Sequence, residues 1–215
     1  MLHVLRQTPG VQVAGLLTTI NETHRRVAMH AVREELLEAQ ALAAGLPLWK
    51  VNIPHPCSNE RYEEEMRGAV DRARAQGIQA VAFGDLFLED IRAYRVRMMA
   101  GTELEPLFPI WGIPTDRLAR DMVRAGLKAR VTCVDPRVLD RSFCGREFDD
   151  AFLDSLPPSV DPCGERGEFH TFASAGPMFE RPIAIRPGEV VERDGFVFAD
   201  LLPARAELSS PQCAE

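Results

Sequence analysis

The sequence predicts an α/β protein built from a parallel-sheet domain and a smaller C-terminal α+β domain. In the first half, short apolar runs alternate with stretches of helical periodicity, which is the pattern of βαβ units. The apolar runs end in polar residues or glycine, as expected for strands of a sheet that is buried on both faces. After Trp111 the pattern changes to shorter segments rich in turn-forming residues. These observations together favour two unequal domains.

The first βαβ unit is predicted from two apolar runs that flank one helix. Residues 11–17 form the first run, which ends in the polar pair Thr18 and Thr19. Helical periodicity over 32–43 predicts a helix that stops before the glycine and proline that follow it. Leu48–Ile53 is the second run, and we expect it to pair in parallel with the first.

A second unit follows directly. Ser58 or Asn59 is placed to cap a helix, and the apolar run over 78–83 predicts the strand after it. A helix over Glu89–Met99 and a short strand over 107–111 complete the unit. Since ligands of parallel sheets bind beyond the carboxyl ends of the strands, the pattern singles out five residues. They are Thr18, Thr19, Asn52, Gly84 and Asp85.

The C-terminal part is predicted to be a separate α+β domain. A helix over 115–125 and a strand over 129–134 precede a polar helical stretch and a loop over 157–167 that is dense in proline and glycine. Three β segments are predicted after it, over 169–173, 182–186 and 196–201. The predicted boundaries are residues 1–112 for the first domain, 113–203 for the second and 204–215 for a flexible tail.

Composition excludes several classes of protein. The 215 residues carry a net charge of −7, which argues against bulk nucleic-acid binding. No apolar run is long enough to cross a membrane, and no signal peptide precedes the first strand. The five cysteines are scattered and never spaced as Cys-x-x-Cys, so we expect reduced thiols in a cytoplasmic protein and no structural metal site.

One segment, residues 84–95, carries more charge than structure requires. On a helix Glu89, Arg92 and Arg95 are spaced three apart and share one face. Arginine at the mouth of a parallel sheet suits phosphate or carboxylate, and Asp85 would hold a ribose hydroxyl or a metal ion. The alternative is an exposed charged helix with internal ion pairs.

A second segment, residues 161–172, combines two glycines with groups that transfer protons or bind Mg²⁺. These groups are Glu165, Glu168 and His170. The alternative is a glycine-rich turn that enters a strand, in which the histidine is only hydrogen-bonded. Cys163 as a nucleophile is a third and less favoured interpretation.

These two segments resemble the diphthine–ammonia ligase family. The motifs are Gly-Asp with Phe-Leu-Glu-Asp-Ile-Arg over 84–92, and Cys-Gly-Glu-Arg-Gly-Glu-Phe-His-Thr-Phe over 163–172. Supporting stretches are Gly-Leu-Leu-Thr-Thr over 15–19, Met29-His30 with Val32-Arg33 behind it, Gln40, Pro-Ile-Trp-Gly over 109–112 and Phe-Cys-Gly-Arg-Glu-Phe over 143–148. The resemblance covers nearly the whole chain, and several motifs agree in order and spacing.

The resemblance implies a Rossmann-like, adenine nucleotide α-hydrolase-like domain that binds ATP with Mg²⁺, and a C-terminal domain that completes the cleft. The family reaction adenylates a carboxylate, releases pyrophosphate and lets ammonia form an amide. The resemblance places Asp85, Arg92 and Arg95 near the nucleotide, with Thr18, Thr19 and Gly84 as further cofactor-binding residues. Glu165, Glu168 and His170 would line the acceptor side as catalytic or orienting groups. The carboxylate would belong to a small molecule or a protein.

The sequence departs from the family at its beginning. Family members start with a strand and a Ser-Gly-Gly-Lys-Asp-Ser loop that grips the phosphates, and this loop is not found here. We expect that the chain as given begins downstream of its true start, since losing a central strand is severely destabilising. The alternative is a nucleotide-binding or regulatory protein without ligase turnover. A tRNA-modifying enzyme is less favoured, because no basic surface is evident.

Overall fold

The computed structural model describes residues 1–22, 26–27, 32–54 and 56–204. The helices are α1 (Leu2–Gln7), α2 (Glu34–Ala43), α3 (Asn59–Ala75), α4 (Glu89–Met99), α5 (Thr115–Arg124), α6 (Asp150–Ser155) and a 3-10 helix at Arg141–Phe143. The strands are β1 (Leu16–Asn21), β2 (Arg26–Val27), β3 (Leu48–Ile53), β4 (Ala80–Ala82), β5 (Glu105–Leu107), β6 (Lys128–Val134), β7 (Phe169–Ala175), β8 (Ile185–Arg193) and β9 (Phe196–Pro203). Met29, His30, His55 and most of the predicted tail, from residue 205 on, lie outside the described residues.

The first sheet has the order β2-β1-β3, and β1 and β3 pair in parallel as predicted. The prediction of a strand over 11–17 is wrong in its bounds. Pairing begins at Leu16 because its partner strand begins only at Leu48, after Pro47, whose carbonyl accepts the Leu16 amide at 2.8 Å. Thr18 and Thr19 therefore lie in the middle of β1 and not beyond its carboxyl end. Their β-branched side chains are compatible with this position.

The second sheet contains only β4 and β5, which pair in parallel from Ala80 with Glu105 to Ala82 with Leu107. The strand predicted over 107–111 is misplaced, since β5 runs over Glu105–Leu107. It cannot continue past Pro109, which has no amide for the ladder, and residues 109–112 form a turn. No strand pairing joins this sheet to β1 within the described ranges. The chain is thus a mixed α/β protein with small sheets, and one continuous parallel sheet is only partly realised.

Local sequence explains the helices of the first half. The Ser58 side chain accepts the Arg61 amide at 3.3 Å and caps α3. The helix ends before Gly77, whose φ of 77° is readily adopted by glycine. Helix α4 has the predicted bounds, with Glu89 and Asp90 in its first turn, where carboxylates favour the helix dipole.

The C-terminal half is organised around an antiparallel sheet of order β7-β6-β9-β8. The β segment predicted over 182–186 is displaced, since β8 runs over Ile185–Arg193 and pairs with β9. Helices α5 and α6 pack on the sheet in one apolar core, to which α5 contributes Ala119 and α6 a ring of an aromatic cluster. Its rings lie with centroids 5.2 to 6.4 Å apart and belong to Phe143, Phe148, Phe152 and Phe169.

The two halves are packed against each other through α2. Leu36, on α2, is 1% exposed and lies in one apolar cluster with Val32 and with Phe172 and Leu201 of the C-terminal sheet. The Gln40 side-chain amide donates to the Ala173 carbonyl at 2.7 Å. Burial of this kind removes apolar surface from water on both sides and stabilises one arrangement of the halves. The domain boundary near residue 112 stays a prediction.

Candidate functional site

The loop between β4 and α4 forms the centre of the candidate site. The Phe83 amide donates to the Leu107 carbonyl at 2.8 Å, which extends the β4–β5 pairing by one residue and places Gly84 and Asp85 at the carboxyl end of the sheet. Arg95 of α4 reaches back to this end. Its Nε lies 3.6 Å from Oδ2 of Asp85, close enough for an ion pair but too far for a hydrogen bond.

Aromatic rings hold the two arginines of α4 in place. The guanidinium carbon of Arg92 lies 5.2 Å from the ring centre of Phe108 and 4.9 Å from that of Trp111. That of Arg95 lies 5.2 Å from the ring centre of Phe83. A guanidinium stacked on aromatic faces is attracted by the ring electrons and loses side-chain freedom before any ligand binds.

Three buried polar atoms at this strand end lack a hydrogen-bond partner among the described residues. They are Oδ2 of Asp85, Nε of Arg92 and Nε of Arg95. Leaving a buried donor or acceptor unsatisfied costs about 1–3 kcal/mol, so such atoms are rare, and a bound water, ion or polar ligand would satisfy them. The strand end therefore offers two fixed cationic groups and one carboxylate to a polar, anionic ligand.

The second sequence segment meets the first through Glu165. Its Oε1 accepts the Leu86 amide at 2.7 Å, so a side chain of the C-terminal half binds the β4–α4 loop directly. Burial raises the pKa of Glu165, and the nearby charges of Asp85 and Asp161 act in the same direction. Hydrogen bonds from the Leu86 and Phe87 amides lower the pKa of Glu165, but they do not cancel this rise. The structure thus brings together two segments that the sequence predicted separately.

A chain of hydrogen bonds sets the shape of the loop that carries Glu165. The carboxylate of Glu168 is 5% exposed and accepts two backbone amides at 3.0 Å each, from Asp161 and Arg166. The Asp161 carboxylate accepts the Glu165 amide at 2.9 Å. Gly164, with φ of 69°, completes the turn, since a Cβ there would lie 2.6 Å from the Phe169 carbonyl oxygen. Both oxygens of Glu168 are therefore committed to the backbone.

His170 and Cys163 lie on either side of this loop. His170 is on β7 opposite Cys133, its carbonyl accepts the Thr132 hydroxyl at 3.3 Å, and its Nε2 is buried. The Cys163 thiol donates to the Thr115 carbonyl at 3.4 Å, and burial raises its pKa to about 12. A thiol with that pKa is protonated at neutral pH, which disfavours the interpretation of Cys163 as a nucleophile.

Thr18 and Thr19 are not brought to this site by any strand pairing, since β1 and β4 belong to different sheets. Their role as cofactor-binding residues stays a prediction. Sequence reasoning overlooked the aromatic residues Phe83 and Phe108. Each directly follows the last residue of a parallel strand, and that position is the signal that would have identified them.

Within the described ranges, no three His, Cys, Asp or Glu side chains are grouped so that they could hold a metal ion. None of the helices in those ranges has the length and apolarity needed to cross a membrane.

Comparison with known proteins points to the same family as the sequence motifs. Residues 114–199 match the family model described as the diphthamide synthase C-terminal domain. Over 195 residues the chain is 27% identical to the diphthine–ammonia ligase of Homo sapiens, in an alignment that covers 82% of this chain and 70% of the human protein. The diphthine–ammonia ligase of Bos taurus is 26% identical over the same length, with the same coverage of both chains.

The fold and the site thus define a two-part α/β protein whose second part is of the diphthamide synthase type, with its loop docked on the strand end of the first. Residues 114–199 match the diphthamide synthase C-terminal domain, and the chain is similar to diphthine–ammonia ligases over most of its length, in agreement with its sequence motifs.

Proposed function

We propose that the protein is an ATP-dependent ligase that joins ammonia to a carboxylate. A carboxylate oxygen attacks the α-phosphorus of ATP, and the bond between that phosphorus and the bridging oxygen breaks to release pyrophosphate. The nitrogen lone pair of ammonia then attacks the acyl carbon of the acyl-adenylate. The C–N bond forms, the bond from carbon to the AMP oxygen breaks, and a proton leaves the nitrogen.

The observation that supports this proposal is the strand end with its three unsatisfied buried atoms. Arg92 and Arg95 are held by aromatic rings and present planar donors that suit phosphate oxygens. Donors fixed before the reaction stabilise the charge that develops on the transferring phosphorus without having to reorganise. Gly84, which has no side chain, lets the nucleotide approach the backbone beside them.

Asp85 is the carboxylate placed to hold Mg²⁺, which neutralises phosphate charge when it is bound. Its buried Oδ2 has no hydrogen-bond partner in the described part of the chain, and its ion pair with Arg95 is long. Magnesium in nucleotide sites takes one or two protein carboxylates and fills its other positions with phosphate oxygens and water. One available carboxylate therefore fits such an ion.

Glu165 is the proposed proton acceptor for the attacking ammonia. Its raised pKa strengthens it as a base, and its contact with the Leu86 amide keeps it at the nucleotide end of the cleft. Glu168 is proposed as a positioning residue, because both its oxygens bind backbone amides. His170 stays a prediction on the acceptor side. A cytoplasmic location belongs to the same proposal.

Calorimetric titration with Mg·ATP tests the nucleotide site. The charge-assisted bonds of Arg92 and Arg95 predict that Arg92→Gln and Arg95→Gln raise the dissociation constant about 10-fold or more. The control is Arg97→Gln, an exposed arginine in the last turn of the same helix, which should change it less than about twofold. Equal affinity in all four proteins would overturn the nucleotide site.

Pyrophosphate release in the presence of ammonium and a panel of carboxylates tests the ligase reaction. Release that requires both a carboxylate and ATP, with AMP formed in equal amount, supports the proposal. Tight binding of Mg·ATP without release for any carboxylate tried would favour the alternative, a protein that binds adenine nucleotide without turnover.

A further inference from the structure

The C-terminal half contains an open cleft beside the loop that carries Glu165. The cleft has a volume of about 350 Å³, the size of a small-molecule site. Its walls are formed by Asp135, Arg137, Val138, Ser159, Arg166 and Glu168. Two arginines, Arg137 and Arg166, are among these lining residues.

The two acids of the cleft are turned into the protein. Asp135 is 9% exposed, and its oxygens accept the Nε and Nη2 of Arg137 at 2.8 and 2.6 Å and the Arg137 amide at 3.0 Å. Glu168 is 5% exposed and is committed to backbone amides. The oxygens of both carboxylates therefore already accept hydrogen bonds from the protein, and neither acid is the main ligand-binding group of the cleft.

The two arginines of the cleft, in contrast, are exposed to solvent. The side chains of Arg137 and Arg166 are 73% and 57% exposed. Arg166 approaches Glu168 only to 3.8 Å, so this pair leaves the donors of its guanidinium available. Each guanidinium also lies near an aromatic ring, Arg166 at 5.2 Å from Phe87 and Arg137 at 5.6 Å from Phe196. The Phe87 ring limits the movement of the Arg166 side chain, and the pair with Asp135 further holds that of Arg137.

We propose that this cleft binds a second acidic group of the acceptor substrate, a carboxylate or a phosphate remote from the carboxylate that reacts. The guanidinium fork of Arg166, the edge of the Arg137 guanidinium that Asp135 does not bind and the Ser159 hydroxyl supply donors that match the oxygens of such a group. The inference rests on the proposed ligase function and names its substrate class, a small molecule with at least two acidic groups.

Continuity with the candidate site supports this assignment. Arg166 lies on the Phe87 ring, and the neighbouring residue, Glu165, binds the Leu86 amide of the same loop. Because Glu165 and Arg166 are adjacent in the chain, a substrate whose reacting carboxylate lies near Glu165 can extend its second acidic group into the cleft at Arg166. A second anchor away from the reacting atoms supplies binding energy that orients the carboxylate for attack.

The test uses the whole protein and two probes, glutarate and inorganic phosphate, titrated by calorimetry. Arg137→Gln and Arg166→Gln should each weaken binding of the preferred probe about 10-fold, the loss expected for one charge-assisted contact. The matched control is Arg124→Gln on α5, which removes the same charge at similar exposure (71%) outside the cleft. It should leave the affinity within about twofold. A preference for glutarate identifies a carboxylate site, and a preference for phosphate identifies a phosphate site.

A second measurement does not depend on how the variants fold. In the wild-type protein labelled with ¹⁵N, the Nε–H signals of Arg137 and Arg166 should shift with the saturation of the probe, and that of Arg124 should not. Absence of binding by both probes, or equal binding by wild type and both cleft variants, would overturn the proposal. Parallel Mg·ATP titrations separate the two proposals. If ATP binds and neither probe does, the cleft inference fails alone. If a probe binds in the cleft and ATP does not, the ligase proposal fails alone.

Discussion

Removing the Asp200 carboxylate should loosen the packing between the two halves of the protein. Asp200 lies on β9, and its Oδ1 accepts Nη1 of Arg26 at 2.9 Å. Its two oxygens also accept Nε and Nη2 of Arg33, with the shortest distance at 2.6 Å. Both arginines belong to the first half, so one carboxylate joins β2 and the start of α2 to the C-terminal sheet.

The expected cost follows from the exposure of the three side chains, which are 20%, 26% and 35% exposed for Asp200, Arg26 and Arg33. Hydrogen bonds to charged groups contribute about 1.5–3 kcal/mol when buried, and partial exposure to water reduces this to about 1 kcal/mol for each arginine. Asp200→Ala should therefore lower the free energy of unfolding by about 2 kcal/mol. For a chain of this length, that is a fall of roughly 4–8 °C in Tm.

The control is Asp121→Asn. Asp121 also pairs with two arginines, Arg117 and Arg124, but within one helix and with side chains 48–74% exposed, so we expect a change of about 0.5 kcal/mol. Denaturant unfolding followed by circular dichroism measures both variants. If Asp200→Ala lay within about 0.5 kcal/mol of wild type, the view of this carboxylate as a clamp between the halves would be refuted.

The contacts of Asp200 with Arg26 and Arg33 also predict that the stability of the fold depends on pH. Burial by itself would raise the pKa of Asp200, but the hydrogen bonds from Arg33 and Arg26 outweigh it and hold the pKa below its ordinary value of 3.8. The stabilisation by the charged form is therefore complete above 3.8 and is lost as the pH falls through the lower pKa of the folded state. The difference in unfolding free energy between wild type and Asp200→Asn should persist at pH 5 to 7 and shrink below 3.8.

Three further outcomes are expected at the site. Glu165→Gln should lower ligase turnover by about 10²- to 10⁴-fold. The ratio of the wild-type rate to the variant rate should rise with pH through a value above 4.5, the ordinary pKa of the glutamate side chain. Taking this ratio removes the titration of ammonium, which affects both proteins equally. Glu168→Gln should lower turnover without changing the shape of that pH profile, and a changed profile would contradict a positioning role. Gly164→Ala should destabilise the fold by about 1–3 kcal/mol in thermal unfolding, because the new Cβ would meet the Phe169 carbonyl and φ would be strained.

Much of the local structure could be predicted from the sequence. The bounds of β3 and α4 agree with the prediction, because each has its signals inside or beside it. Proline and glycine precede Leu48, and acidic residues open the helix at Glu89. The cap of α3 by Ser58 is a contact over three residues and needs no knowledge of the rest of the fold.

The predicted strand bounds are wrong where a pairing strand from a distant part of the chain sets them. The first strand was placed over 11–17 from its apolar residues, but a strand begins where its partner does, at Leu16 opposite Leu48. The β8 strand extends to Arg193 because β9 pairs with it along that length, although its own residues are mostly exposed and charged. Periodicity within a segment does not contain this information, since pairing depends on residues elsewhere in the chain.

The candidate site shows the same division. Its charged residues could be predicted as two clusters, around Arg92 and around Glu165, because their density exceeds what structure requires. The family resemblance implied that both clusters line one cleft, but the contacts that join them could not be predicted. The Leu86 amide donates to Glu165 across 79 residues of chain, and Arg166 lies on the Phe87 ring. Aromatic residues such as Trp111 were seen as part of a motif, but their stacking on Arg92 depends on the packing of α4 over β5.

Glu168 links the shape of the C-terminal loop to the chemistry proposed for the strand end. Its carboxylate ties together the amides of Asp161 and Arg166, and Asp161 in turn binds the amide of Glu165. The position of the Glu165 carboxylate on the Leu86 amide thus depends on a buried acid that itself need not touch a substrate. The two glutamates of this motif then have separate tasks in the proposed reaction: Glu165, whose pKa is raised, exchanges a proton, and Glu168, whose two oxygens bind backbone amides, fixes the loop that carries it.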